Sequence, residues 1–528
     1  MTSVARIIGR RLYEAGVRYV MGHPGGEIVD LIEGFREEHL DFVLTRHETS
    51  AAFMADAMGA LTGTPGVCLG TLGPGATNLV TGVAQAYLDR SPVIALSGQL
   101  PADRYETVTH QRLDLGAIFA PITKFHARVT AANADDVIAR ALRVSARPRR
   151  GPVYLEVPSD VPRQEARDRP ADAPETRTAA TFQVGDGRPA ANLLTASRRP
   201  VILAGFDSDR DDVAPLLQTL AERWTIPVMV GPKAKGAFPE DHPLFLGTIE
   251  MFGTAELYAY LGECDLIIMV GFEPVELDRD WSGTAKVIHI GPLPNDDLYY
   301  RCDAEIVGPV RSGLELVLAA GTPAPKHQAS AVRETRARFL KHIEPHVSGM
   351  AAQHVLAELR QALPHDALVT CDVGYNKAIT GQCWPVYQPR TFFMSNGLSS
   401  MGYGLPAALG IQLAAPGRRV ACILGDGGFA MLLGEVETAV RRQLPVIIVV
   451  LVDDALSQIK AGQERKGYPV TGTTFRGLDY VAVARGFGVT GFEVTTEKEC
   501  RDAFTAAREA KGPMLIAAHV DPSAYKLD

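Results

Sequence analysis

The seven cysteines of this chain, Cys68, Cys264, Cys302, Cys371, Cys383, Cys422 and Cys500, are odd in number, scattered, and nowhere arranged as Cys-x-x-Cys. That absence excludes a disulfide-stapled scaffold and fits a reduced, cytoplasmic compartment. Long apolar runs are missing too. Nothing approaches the roughly eighteen residues of a membrane span, and Met1-Thr2-Ser3-Val4-Ala5-Arg6 leads into no extended apolar core before Glu14. Neither an anchor nor a secretory signal is expected, so the chain reads as soluble. A third absence is clustered positive charge: the formal net charge is -8 with no basic stripe, which argues against a nucleic-acid surface and favours solubility.

What is present is an ordinary globular composition, 46% hydrophobic and 22% charged, on 528 residues. That length exceeds what one hydrophobic core usually holds. Two stretches break the texture: residues 163–182, rich in Ala, Arg, Asp, Pro and Thr without periodicity, and residues 321–331 around Gly321-Thr322-Pro323-Ala324-Pro325. Read as linkers, they divide the chain into domains at 1–163, 183–320 and 332–528.

Each block alternates short β-branched runs with amphipathic stretches of helical length. In the first, 66–70 reads as a buried strand, 77–87 as a helix and 92–96 as the next strand. The last block repeats this with a strand at 420–424, a helix from about 435 to 442 and a strand at 445–451. The middle block has strands at 201–203, 266–270 and 287–290. Continuous apolar strands between helices imply parallel sheets covered on both faces, hence three doubly wound α/β domains. Ligands in such sheets bind beyond the carboxyl ends of the strands, where Gly70-Thr71-Leu72-Gly73-Pro74-Gly75 and Gly425-Asp426-Gly427-Gly428 both fall.

Glycines directly after a buried strand let the backbone approach a phosphate. A carboxylate in the same turn would repel that phosphate unless a divalent cation lies between them, so Asp426 implies magnesium or calcium. Asp453, 27 positions further on and just after the next strand, is placed to supply a second oxygen. Taken alone, Asp453 or Asp454 reads as an N-cap for the helix expected near Ala455. The spacing between the two turns favours ligation.

These residues and Arg46-His47-Glu48-Thr49 resemble the thiamine-diphosphate enzymes, and the acetolactate synthase branch in particular. The likeness runs through Pro24-Gly25-Gly26, Gly73 to Gly82, Gly236 to Leu244 and Met401 to Ala408. It implies a pyrimidine-binding domain, a central Rossmann-like domain and a diphosphate-binding domain. It also implies magnesium held by Asp426, Asp453 and the Ala455 carbonyl, with Asp453 standing where the family uses Asn and Lys460 a compensating cation. Gly425, Gly427 and Gly428 complete that turn, while Gly374, Tyr375 and Asn376 match a loop at the diphosphate. The Ser399 carbonyl would accept from the aminopyrimidine and Met401 would bend the cofactor, although a lone Met is more often core filling.

In that family Glu48 would polarise the pyrimidine, and desolvation in an apolar pocket would help it share a proton. His110 and Gln111 would face the thiazolium, with His110 also readable as a solvated loop residue. Lys124 matches a substrate-channel lysine or a surface one. Gln458, Ile459 and Gly462 fall in the acceptor pocket, where the synthases carry Met for Gln458 and Trp for Gly462; the lost wall admits a larger or more polar second substrate.

The implied reaction is decarboxylation of a 2-oxo acid, with pyruvate the expected donor, and carboligation to an acceptor carbonyl. A non-ligating decarboxylase, a 2-hydroxyacyl carbon-carbon lyase and a catalytically silent subunit are the competing readings. A homodimer is the implied minimum and a homotetramer is common. The branch's flavin is not expected, because Phe272-Glu273-Pro274-Val275-Glu276 replaces its Phe-Asp-Asp-Arg run and no G-x-G-x-x-G is present.

Overall fold

A computed structural model describes residues 2–166, 186–279, 283–295, 300–321, 324–327 and 329–525. Its frame is three six-stranded, wholly parallel sheets. The first runs Asp41–Leu44, Tyr19–Gly22, Gly66–Gly70, Val93–Gln99, Val153–Pro158, His126–Arg128. The third repeats that order with Phe392–Met394, Leu368–Cys371, Val420–Gly425, Val446–Val452, Met514–His519, Thr490–Val494. Numbered within its own domain, each is 2-1-3-4-6-5, so each reverses direction between its first and third strands and opens a crevice there. The central sheet, Phe245–Thr248, Val228–Val230, Pro200–Ala204, Leu266–Val270, Lys286–Gly291, Ala304–Val307, has the 3-2-1-4-5-6 order of a dinucleotide-binding fold.

Strand periodicity decides which domain each side chain packs on. In Val420–Gly425, Val420, Cys422 and Leu424 join a core shared with the first domain, while Ala421 and Ile423 join one shared with the central domain. Alternate Cβ atoms leave opposite faces of a sheet, so the third sheet is buried on both sides by different partners. The helix Glu48–Thr62 shows the same logic in helical form: Ala51, Ala52, Phe53, Met54, Ala55 and Ala57 are all fully buried. Being apolar all round, it lies between Pro74–Leu88 and Gly404–Ala414. Gly410 makes the second crossing possible, since a Cβ there would lie 2.5 Å from the Met54 carbonyl oxygen.

Both expected linkers begin inside folded structure. Residues 165–166 form a strand antiparallel to Thr2–Ser3, and 167–182 lie outside the described residues. In the second, the Lys326 amide donates to the Trp224 carbonyl at 2.7 Å, tying this stretch to the central domain. The helix Ala329–His342 then runs through residue 332 and packs on Phe245–Thr248. No described helix is long and apolar enough to cross a membrane.

Candidate active site

At the carboxyl edge of the third sheet, the turn after Val420–Gly425 and the turn after Val446–Val452 lie side by side because their strands pair in parallel. Asp426 opens the helix Asp426–Leu432, a position that favours a carboxylate. Its Oδ1 accepts from the Gly427 amide at 2.7 Å, and its Oδ2 accepts from the Asp453 and Asp454 amides at 3.0 and 2.7 Å. Asp453 accepts from the Ala455 amide at 3.2 Å and the Ser457 hydroxyl at 2.8 Å. It therefore orders the entry to the helix Ser457–Arg465 while facing Asp426. Burial, then the neighbouring Asp453 charge, pushes the Asp426 carboxyl up to about 6; burial also raises Asp453.

These two acids and the Gly425–Gly428 turn line a cavity of about 200 Å³ with Gly374, Tyr375, Asn376, Ser399 and Met401. Asp372, fully buried and pushed up to about 7 by burial, holds the cavity's roof together. Its carboxylate accepts from the Val373 amide at 2.7 Å and the Gly402 amide at 3.0 Å, and it abuts Gly428, where a Cβ would collide with it. Gly374 sits at φ 130°, where a side chain would be strained. Asn376 turns inward, donating to the Asp372 carbonyl at 2.7 Å. Ser399 takes a left-handed φ of 53°, a costly conformation for a non-glycine, and its hydroxyl meets Lys377 Nζ at 3.2 Å. Met401 reaches toward Gly427, its Cε 3.4 Å from where a Cβ would stand.

The first sheet's carboxyl edge carries the other half. Glu48 is buried and accepts from Asn78 Nδ2 at 2.9 Å, while Thr49 donates to the Asn78 carbonyl at 2.6 Å. Gly75 lies beside this acid: a Cβ there would be 3.4 Å from Glu48 Oε1. Gly25 backs onto Thr71, with Pro24 and Gly26 exposed beside it, and Gly73 backs onto Gln111. His110 and Gln111 sit on an exposed loop, Gln111 at φ 56°.

No first-domain residue lines the third-domain cavity. The loop carrying Glu48 is instead tied to Glu435 of the same chain, which accepts from the Arg46 and His47 amides at 2.9 and 3.2 Å. Glu435 begins the helix after the one that Asp426 starts. Within one chain, Glu48 is therefore not among the residues that line the cavity holding Asp426.

Other expected residues are distributed unevenly. Gln458 and Ile459 line the cavity and are exposed. Gly462 lies one turn further along and is not among the lining residues, with nothing within 4 Å of an added Cβ. Lys460 makes no ion pair with either acid among the described residues. Lys124 is not brought to the cavity; its Nζ caps the end of the helix Ala134–Ala146 by donating to the Val144 and Arg147 carbonyls at 2.7 and 3.2 Å. Burial lowers its pKa to about 8. Sequence reasoning missed Asp372, Asn78 and Tyr525. Tyr525 lies close enough to Asp453 for the two to perturb each other's titration, and its ring is near that of Tyr375, centroids 4.8 Å apart.

The donor set suits a hard divalent cation with oxygen ligands. Two neighbouring carboxylates have no cationic side chain paired with them among the described residues, and the buried Tyr375 hydroxyl beside them has no partner. No cluster of three or more His, Cys, Asp or Glu forms a competing metal site among the described residues. At about 200 Å³, the cavity is smaller than the roughly 300–1,000 Å³ that encloses a ligand of drug size.

The central sheet's crevice is filled differently. Glu276, 1% exposed, accepts from the Phe206 amide at 3.0 Å, and a Cβ on Gly205 or Gly231 would collide with its carboxylate. Burial holds the Glu276 carboxyl well above its usual range, and this carboxyl occupies the cradle where the fold would hold a pyrophosphate. A cavity of about 730 Å³ nearby is lined by Arg90, Asp207, Asp209, Lys233 and Arg390, and Arg90 is already paired with Glu273 at 2.9 Å.

Comparison with known proteins covers nearly the whole chain. Residues 2–118, 188–317 and 372–518 match the N-terminal TPP binding, central and C-terminal TPP binding domains of the thiamine pyrophosphate enzymes. Acetolactate synthase of Bacillus subtilis (strain 168) is 31% identical over 98% of this chain and 93% of its own. Acetolactate synthase isozyme 1 large subunit of Escherichia coli (strain K12) is 31% identical over 98% and 94%. The catabolic acetolactate synthase of Raoultella terrigena is 30% identical over 98% and 95%.

Proposed function

Because the chain belongs to the thiamine pyrophosphate enzyme family, we propose that its two half-sites meet across a homodimer, Glu48 of one protomer completing the third-domain cavity of the other. The protein is a thiamine-diphosphate-dependent enzyme that decarboxylates a 2-oxo acid and joins the acyl unit to an acceptor carbonyl. The carrying observation is the cavity bounded by the third domain alone, with the buried acid that must act on the same cofactor held elsewhere.

When bound, the cofactor supplies the carbanion chemistry and the protein orients it. Asp426, Asp453 and the Ala455 carbonyl would hold Mg2+ at the diphosphate, and Gly425, Gly427 and Gly428 would let the backbone approach. Glu48, oriented by Asn78, would share a proton with the pyrimidine. Gly374 and Tyr375 would border the diphosphate, Ser399 would offer its carbonyl to the aminopyrimidine, and Met401 would set the bend. Gln111 and His110 stand on the substrate side, with Gln458, Ile459 and Gly462 around the acceptor. Pyruvate is the proposed donor, and the open wall at Gly462 suits an acceptor larger or more polar than pyruvate. With Glu276 in its cradle, the central domain is read as carrying no flavin.

The test is complementation. Glu48→Gln and Asp426→Ala proteins should each be inactive, and a mixture whose subunits exchange should regain about a quarter of wild-type activity. No recovery despite exchange proven by mass-tagged subunits refutes the shared site.

A further inference from the structure

The Ser395–Met401 loop, which carries both Ser399 and Met401, is gripped from outside its own domain. Asp89, 6% exposed, caps the end of the first-domain helix Pro74–Leu88. Its Oδ1 accepts from the Gly397 amide at 2.6 Å and its Oδ2 from the Asn396 amide at 3.2 Å. Lys233 of the central domain closes the knot, donating to Asp89 Oδ2 at 3.0 Å and to the Met394 carbonyl at 3.1 Å. One carboxylate therefore holds all three domains at the base of this loop.

A second thread runs parallel. Buried Gln85, one turn earlier on the same helix, donates to Asp89 and accepts from the Ser395 hydroxyl at 2.6 Å. That hydroxyl oxygen in turn accepts from the Ser400 amide at 2.9 Å, the residue between Ser399 and Met401. Gly397 is pressed onto the helix end, since a Cβ there would stand 2.7 Å from Leu88 Cβ. Beyond Met401, Gly402 is tied to Asp372. The segment is fixed on both sides of the left-handed Ser399, and such strain persists only where the surroundings over-determine it.

We infer that Asp89, with Gln85 and Lys233, is a positioning residue for catalysis: it locks the Ser399 carbonyl and the Met401 side chain in the geometry that bends the cofactor. This rests on the reading that Ser399 and Met401 meet the pyrimidine. The diphosphate anchor at Asp426 and Asp453 lies on separate loops, so loss of the knot should spare cofactor binding and slow cofactor activation. A purely structural role would lower stability and the active fraction without changing the rate per bound cofactor.

The experiment measures cofactor affinity in the presence of Mg2+ and the hydrogen-deuterium exchange rate at the thiazolium carbon per bound cofactor, on the full-length holoenzyme. Asp89→Asn removes the anion at the knot. Ser395→Ala removes only the hydroxyl bridge and leaves the Asp89–Lys233 pair intact, so it reports even if Asp89→Asn does not fold. Expected is at least a tenfold slower exchange for Asp89→Asn and about fivefold for Ser395→Ala, each with affinity within threefold of wild type. If wild type neither binds nor exchanges, the functional reading itself falls. If wild type exchanges and Ser395→Ala stays within twofold of it, the positioning role is overturned.

Discussion

Removing the Asn78 side chain should slow the enzyme without unfolding it. Asn78 Nδ2 donates to Glu48 Oε2 at 2.9 Å, and no other side-chain donor to this buried carboxylate occurs among the described residues. A hydrogen bond to a charged group contributes roughly 1.5–3 kcal/mol. If that bond orients Glu48 for the pyrimidine, Asn78→Ala costs about ten- to a hundredfold in kcat. The Asn78 carbonyl, which accepts from Thr49 at 2.6 Å, survives the substitution, so the helix contact and the melting temperature should change little. The assay is steady-state decarboxylation at saturating cofactor and Mg2+, read beside cofactor affinity. Because Asn78 acts only through Glu48, adding Asn78→Ala to Glu48→Gln should cost almost nothing further. A kcat within twofold of wild type for Asn78→Ala, or full additivity in the double variant, would refute the assignment.

Asp453→Asn removes one of two negative charges facing the diphosphate while keeping an oxygen for the Ala455 amide; the Mg2+ concentration for half-activation should fall at least threefold with cofactor still bound, and an unchanged titration removes Asp453 from the ion's surroundings. Burial raises Asp372 from 3.8 to about 7, so its contribution to stability is full below 3.8, declines as the pH climbs to about 7 and is flat above. Between those limits the change is on the order of 4 kcal/mol. In cofactor-free protein, Asp372→Asn should therefore gain stability relative to wild type as pH rises from 4 to 7, and parallel denaturation curves would contradict the burial argument. Purified wild-type protein should be colourless, and a stoichiometric yellow chromophore would mean that Glu276 yields its cradle.

The architecture was legible because its signals are local and repeated. Buried parallel strands read as unbroken apolar runs, and the ends of 66–70, 420–424 and 266–270 shifted by no more than one residue in the structure. The closeness of Asp426 and Asp453 was legible for a related reason: each follows directly on such a strand, and paired strands deliver their ends to one edge. Linkers were less so, because composition cannot reveal that residues 165–166 pair with the chain's start or that Lys326 is held by Trp224 and by the Thr195 and Ser197 carbonyls.

By itself, the sequence determined the three-domain α/β frame and the reaction class, since each depends on short-range pattern and residue type. Tertiary structure alone decided the partnerships. Tyr525 reaches Asp453 because Met514–His519 lies beside Val446–Val452 in the sheet, so both chains leave at the same edge. Asn78 meets Glu48 because two helices cross, and Lys124 leaves the site because a helix end nearer to it offers unsatisfied carbonyls. Asp89 meets Gly397 across more than three hundred residues. No periodicity encodes such contacts; they follow from the packing of whole domains.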